Sequence, residues 1–341
     1  MKKLISICLS ALILTGALSG CNSTKPAASG GASGSASGSS EKPYRIAIVQ
    51  PMSHTSLDQI RDTIVEKLNA SGKNIEITTE NANGDSTALS TILSNCKAKG
   101  VDMVIPIATS TAQSAKTVFD ADGTPIVFAA VSDPVAAGLT GDDCKYITGV
   151  SNNIPSAEIV RLIFNFQPDC KKIGFLYTSS EANSVSTINA AKVYCDQQSI
   201  AYEEASIANL SELQTAVETL ISKGVDALYT GNDNSIASAM ATYTDVAYAA
   251  GVPIYCGADS MVADGGFATI GVNYVQLGEQ VADLALKVLD GAAPADLPYE
   301  TLSNYAKFVN LQAAQRVGAD FPESAYQGYE VLVEQDGTSH F

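Results

Sequence analysis

"KGVDMVIPIATSTAQSA" (residues 99–115) and "KGVDALYTGNDNSIASA" (residues 223–239) follow one plan. Each opens on Lys-Gly-Val-Asp, runs through a short apolar stretch, breaks into small polar residues and then takes up a helical pattern. The likeness extends in both directions. Upstream, "YRIAIVQPMSHTSLDQI" from Tyr44 parallels "KKIGFLYTSSEANSVSTI" from Lys171; downstream, "GTPIVFAAVSDP" from Gly123 parallels "GVPIYCGADS" from Gly251. The offset is 127 for Ile46 and Ile173, 124 for Asp102 and Asp226, and 128 for Pro125 and Pro253. So steady a shift over three blocks marks two copies of one unit.

Inside the first copy, "RIAIV", "NIEITT", "VDMVIPI" and "PIVFAAV" alternate with helical stretches such as "LDQIRDTIVEKLNASG" and "STALSTILSNCKAKG". Short, continuous apolar strands are what a sheet covered by helices on both faces requires. Gly72 and Gly100 supply helix C-terminal stops. Each copy is therefore expected to be an α/β lobe with a doubly wound, mostly parallel sheet. Ligands of such sheets sit beyond the carboxyl ends of the strands, so two lobes facing each other across those ends enclose a cleft.

The connections join the lobes as hinge crossovers. "YITGVSNNIPS" (146–156) leaves the first copy and "ATIGVNYVQLG" (268–278) leaves the second. "LGEQVADLALKVLDG" reads as a helix returning to the first lobe, and "YAKFVNLQAAQRVG" as a crossing back. The expected division is 43–150 plus about 275–298 for the N-terminal lobe, and 151–274 plus about 299–335 for the C-terminal lobe.

The first residues have another role. A basic "MKK", an apolar "LISICLSALILTGAL" and a small-residue "LSG" before Cys21 read as a signal peptide over residues 1–20. Residues 21–42, nearly all Ser, Gly and Ala after Cys21, read as a flexible tether reaching roughly 25 Å. The net charge of −16 argues against nucleic acid and against a polybasic membrane surface. With two histidines (His54 and His340) and no C-x-x-C spacing, no metal site or cofactor is expected. Cys96, Cys144, Cys170, Cys195 and Cys256 are expected to be buried free thiols, with one bridge left open.

The strand ends carry the candidate chemistry. Thr109, Ser110 and Thr111 stand where a strand gives way to a helix, and a helix N-terminus favours an anion. We expect them to hold a carboxylate. Gln50 and His54, Ser132 and Asp133, Glu181, Asn183 and Ser184, Asp233 and Asn234, and Asp259 and Ser260 stand at the other ends. Asp233 or Asp259 is expected to receive an ammonium, although each Asp could instead cap a helix. Phe128, Tyr177, Tyr229, Tyr255 and Tyr274 could form an apolar slot for a ring. Catalytic residues are not expected: G-x-S-x-G, Walker A and G-x-G-x-x-G are missing, and "SNCK" (94–97) lacks the companions of an S-x-x-K nucleophile.

These features resemble a known family. "LSG" before Cys21 is similar to a lipobox, and "HTSLDQIRDTI", "ENANGDS", "IATSTAQSA", "IVFAAVSDPVAAGL", "NSV" after "SSEA", "GNDNSIASA" and "YVQLGEQVADLALKVL" look like the substrate-binding lipoproteins of ABC importers. Within these, the strings resemble the group associated with tryptophan and tyrosine uptake, over Lys42 to Glu323; Thr55 departs from it, where Pro is common. The resemblance implies the type I periplasmic-binding-protein fold, lipidation at Cys21, attachment outside the bacterial cell membrane, and ABC permease and ATPase partners. The expected solute is an aromatic amino acid, captured by hinge closure. A branched amino acid, nucleoside or sugar on the same fold, or a sensor docking a membrane kinase, are the alternatives. Arg45, Arg61, Arg161 and Arg316, read as lying away from the strand ends, weigh against a sugar.

Overall fold

The computed structural model describes residues 42–302, 305–319 and 321–341; the expected signal peptide, Cys21 and most of the tether lie outside the described residues. The first copy contains β1 (Tyr44–Gln50), α1 (Thr55–Ala70), β2 (Ile75–Asn81), α2 (Ser86–Lys99), β3 (Met103–Pro106), α3 (Thr109–Phe119), β4 (Ile126–Ala129) and β5 (Ile147–Ser151). After α4 (Ser156–Phe166) the order repeats as β6 (Lys172–Thr178), α5 (Ala182–Gln198), β7 (Ala201–Ile207), α6 (Leu213–Ser222) and β8 (Ala227–Thr230). It continues through α7 (Asn234–Ala237), α8 (Met240–Ala249), β9 (Ile254–Cys256), α9 (Asp259–Ala263) and β10 (Ala268–Gly271). The last elements are α10 (Tyr274–Leu289), β11 (Glu300–Thr301), β12 (Ala306–Asn310), α11 (Leu311–Arg316) and β13 (Glu330–Val333).

Two sheets result, ordered β11-β5-β4-β3-β1-β2 and β13-β12-β10-β9-β8-β6-β7. Their shared cores, β2-β1-β3-β4-β5 and β7-β6-β8-β9-β10, are parallel throughout and identical in order. Among the named strands of the described residues, only β12 runs antiparallel to a neighbour, β10. β11 extends the first sheet past residue 298, the expected end of that lobe's share.

Helices on both faces explain the unbroken apolar strands. In β1, Ile46 and Ile48 pack with Leu57, Ile60, Ile64 and Leu68 of α1, while Ala47 and Val49 pack with Leu89 and Leu93 of α2. Each buried Val, Leu or Ile here contributes about 1.5–3 kcal/mol. The edge strands β2 and β7 are covered less fully, mixing half-buried and exposed positions.

The duplication reaches individual hydrogen bonds. The Asp102 carboxylate accepts from the Arg45 amide (2.8 Å), and the Asp102 amide donates back to the Arg45 carbonyl (2.8 Å). In the second copy, the Asp226 carboxylate accepts from the Lys172 amide (2.9 Å), and its amide donates to the Lys172 carbonyl (2.8 Å). Lys-Gly-Val-Asp is thus the turn that feeds the third strand of each sheet against the first. Its glycines, Gly100 (φ 66°) and Gly224 (φ 74°), take the left-handed conformation that other residues resist.

The chain passes between sheets after β5, after β10 and after β11. α10 packs on α1, β4 and β5 of the first lobe. Gly278 permits the close approach: a Cβ there would lie 2.8 Å from the Thr63 Cβ and 3.1 Å from the Ile60 carbonyl. All five cysteines in the described residues are free thiols.

Candidate functional site

The carboxyl ends of the two sheets close on a cavity with about 350 Å³ of empty space, of which the centre of a water molecule can occupy about 20 Å³. The first lobe contributes His54, Ser56 and Leu57 from the start of α1, Ala108 and Thr109 at the start of α3, and Ala130 after β4. Asn183, Asn232, Asp233, Asn234, Ala237, Ala258 and Met261 face them from the second lobe, and Asn152 and Tyr274 come from the crossovers. The walls are small, apolar and amide-rich.

Side chains bridge the lobes directly. The Asn232 amide donates to Ser132 Oγ (2.5 Å), Ser132 Oγ donates to Asn152 Oδ1 (3.1 Å), and the Asn152 amide donates to Tyr274 OH (3.4 Å). His54 Nε2 meets Asn234 Oδ1 at 3.2 Å, Thr55 Oγ1 donates to Asp264 at 3.4 Å, and Ser56 and Ser260 share a hydrogen bond. The lobes are closed.

Three polar atoms at or beside the cavity's first-lobe wall lack what the rest possess. Among the described residues, Thr109 Oγ1, Thr111 Oγ1 and His54 Nδ1 are buried with no hydrogen-bond partner. Thr109 and Thr111 lie in the first turn of α3, where no described side chain accepts from the free N–H groups. Ala108 precedes them at φ 72°, a left-handed turn that carries the chain from β3 into the helix. An uncapped, buried helix N-terminus is a ready anion site.

The equivalent position in the second lobe is occupied differently. Asp233 accepts from the Ile236 amide (2.9 Å) and Thr178 Oγ1 (2.9 Å) on one oxygen, and from the Thr178 amide (2.6 Å) and Ser184 Oγ (2.6 Å) on the other. Burial raises its pKa, with the Glu181 charge adding to the rise and these bonds opposing it. Glu181 accepts from the amides of Asn234 (3.0 Å) and Ser235 (2.8 Å), completing the cap of α7. Asp259 is different again. It is buried between residues that line the cavity and accepts from the Ser260 amide (2.7 Å); burial pushes its carboxyl up to about 7. After burial, its charge is the main cause raising the Tyr274 hydroxyl.

Comparison with known sequences settles what kind of protein has this cleft. The profile described as "ABC transporter substrate binding protein" matches residues 45–328. The chain belongs to that family. This substrate-binding protein is an extracytoplasmic component that takes up a small solute for permease partners. It is 29% identical over 316 residues to a tyrosine-binding protein of Clostridioides difficile, covering 91% of this chain and 90% of that one. It superposes at TM-score 0.80 on a Streptococcus pneumonia ABC domain in complex with L-Trp, 32% identical, over 85% of this chain and 99% of that one. On a ligand-free, open substrate-binding protein from Clostridium difficile, 30% identical with 84% and 98% covered, the TM-score is 0.64. At near-equal identity and coverage the better match is to the ligand-bound form, in keeping with the interlobe bonds. The architecture is the type I periplasmic-binding-protein fold.

Of the residues singled out in the substrate-binding protein's sequence, the structure brings His54, Thr109, Asn183, Asp233 and Asn234 to the cavity wall. Thr111 is buried in the same helical turn as Thr109, and Ser132 joins the interlobe chain. Others fall elsewhere. Ser110 is exposed, because neighbours on a helix diverge by about 100° and three consecutive hydroxyls cannot share one face. Asp133 is exposed and accepts from the Ala136 amide (2.9 Å), capping its own turn. Gln50 braces the β1–α1 loop through Met52, Asp58 and Arg61, so Arg61 reaches a strand end after all, outside the cavity. Ser184 serves Asp233. Tyr177, Tyr229 and Tyr255 pack in the second lobe's core and Phe128 in the first's, leaving Tyr274 as the candidate aromatic on the cavity wall. Asn152, Ser56, Met261 and Asn232 were missed as site residues. Asn232 was signalled by its place beside Asp233; the others become neighbours only when the lobes close.

Proposed function

We propose that the protein captures an aromatic amino acid in this cavity and passes it to a membrane permease, held outside the membrane by a lipid on Cys21. The observation that carries the reading is the uncapped N-terminus of α3 with unpaired Thr109 Oγ1 at the cavity wall. The solute carboxylate accepts from the first-turn N–H groups and from Thr109, where the helix dipole favours negative charge. Asp259 receives the ammonium: it retains acceptor capacity, whereas both oxygens of Asp233 are engaged twice. The ring lies against Leu57, Met261 and Tyr274. Tyrosine binding by one relative and the L-Trp complex of another support the solute class.

The test is a thermal-shift screen of residues 41–341 after unfolding and refolding to strip bound solute, against the amino acids, nucleosides and sugars. A ligand at 100 times its dissociation constant stabilises by about 2.7 kcal/mol. A shift with Tyr or Trp and none with leucine or sugars is expected. A shift with a sugar or nucleoside alone would discard the aromatic pocket and keep the receptor.

A further inference from the structure

His54 is the cavity residue whose chemistry the two poles of an amino acid do not use. Its hydrogen-bonding state is set from the opposite lobe. The Asn234 amide nitrogen donates to Glu181 Oε2 (2.7 Å), and the Asn234 backbone amide donates to the same oxygen (3.0 Å). Reversing the Asn234 amide would push its carbonyl oxygen against a carboxylate, so Oδ1 must face His54. The ring nitrogen that meets Oδ1 at 3.2 Å, Nε2, therefore carries the hydrogen. In a neutral imidazole the other nitrogen, Nδ1, is then an acceptor, and it is buried without a partner. Burial holds the ring below its ordinary pKa, against the opposing influence of Asn234, Glu181 and Asp58, which keeps it neutral at physiological pH.

We propose that His54 selects solutes whose aromatic ring bears a hydrogen-bond donor, an indole N–H or a phenol O–H, by accepting that donor at Nδ1. This rests on reading the cavity as an aromatic amino-acid site, with the carboxylate at α3 and the ammonium at Asp259. Both poles then have partners, and a buried acceptor remains on the wall that also presents Leu57. A ring without a donor leaves that acceptor desolvated and unpaired, the situation in which enzymes and receptors discriminate most strongly. Closure completes the selector, since Asn234 and Glu181 belong to the second lobe and His54 to the first.

The experiment is calorimetric titration of the wild-type domain with Tyr, Trp, Phe, O-methyltyrosine and 1-methyltryptophan. Tyr or Trp is expected to bind about 100-fold or more tightly than Phe and than its own methylated analogue. In His54→Leu the ratio of Tyr to Phe affinity should collapse to within about tenfold, a change that a merely structural role would not produce. Because the chain has two histidines, ¹⁵N-histidine NMR of the complex reads the tautomer without a variant: protonated Nε2 and unprotonated Nδ1 are expected. An imidazolium or an Nδ1–H tautomer would overturn the proposal. Equal affinity for Tyr, Trp and Phe would also overturn it and give the Nδ1 acceptor to the ammonium. If wild type binds none of the five, the aromatic reading itself falls, and this proposal with it.

Discussion

Thr109 and Asp233 occupy equivalent places in the two copies and do opposite work. Asp233 satisfies its own lobe; Thr109 is left unsatisfied, and that asymmetry gives the cleft a direction. Replacing Thr109 with Val removes a buried hydroxyl that has no partner, so ligand-free stability should hold or rise by up to ~1 kcal/mol. Affinity for Tyr or Trp, by calorimetry, should fall about tenfold or more; unchanged affinity would move the carboxylate elsewhere. Asp259 makes a pH-dependent contribution. Its carboxyl, ordinarily near 3.8, stands at about 7 in the closed protein. Between those values the folded state holds a proton that the unfolded chain has lost. This group's contribution to stability is therefore full below the lower value and is lost as pH rises through the upper one. A bound ammonium prefers the ionised form, so affinity should tighten about fourfold between pH 6.5 and 8, and Asp259→Asn should abolish the dependence.

Among the elements, Asp233 pins the end of β6, the first turn of α5 and the start of α7 to one another. Asparagine there offers one acceptor oxygen and turns an NH₂ group toward groups that also donate. Asp233→Asn should cost about 2–4 kcal/mol in urea denaturation, with circular dichroism of the native state unchanged. A loss below ~1 kcal/mol would mean the staple is dispensable and would reopen Asp233 as an ammonium partner. The elements themselves were largely legible, because doubly covered strands must be continuous apolar runs and the Lys-Gly-Val-Asp turn was written twice. Side-chain direction was less legible. Thr109 and Ser110 are adjacent in sequence, yet one is buried and the other exposed, and Asp133 found a nearer donor in its own turn.

For the whole molecule, closure rests on side-chain bonds between lobes as well as on the solute. The chain from Asn232 through Ser132 and Asn152 to Tyr274 joins the lobes through protein groups alone, so it favours the closed form in its own right. Ser132→Ala breaks it in the middle. Small-angle scattering of the ligand-free variant should give a larger radius of gyration than wild type, returning to the wild-type value at saturating ligand. Affinity should weaken about three- to tenfold, the penalty of a less populated competent state. If the ligand-free shapes coincide, the polar chain is not what holds the lobes together.

By itself the sequence determined the duplication, the strand–helix alternation and hence two parallel sheets whose carboxyl ends meet, since local turn chemistry and apolar patterning are properties of short stretches. It also pointed to several of the loops that line the cavity. Only the tertiary structure decided which groups on those loops remain free. Whether a buried hydroxyl, carboxylate or ring nitrogen is available to a solute depends on donors from other elements, and on the opposite lobe once the cleft has closed. Glu181 fixes Asn234, Asn234 fixes His54, and no spacing in the chain announces that series.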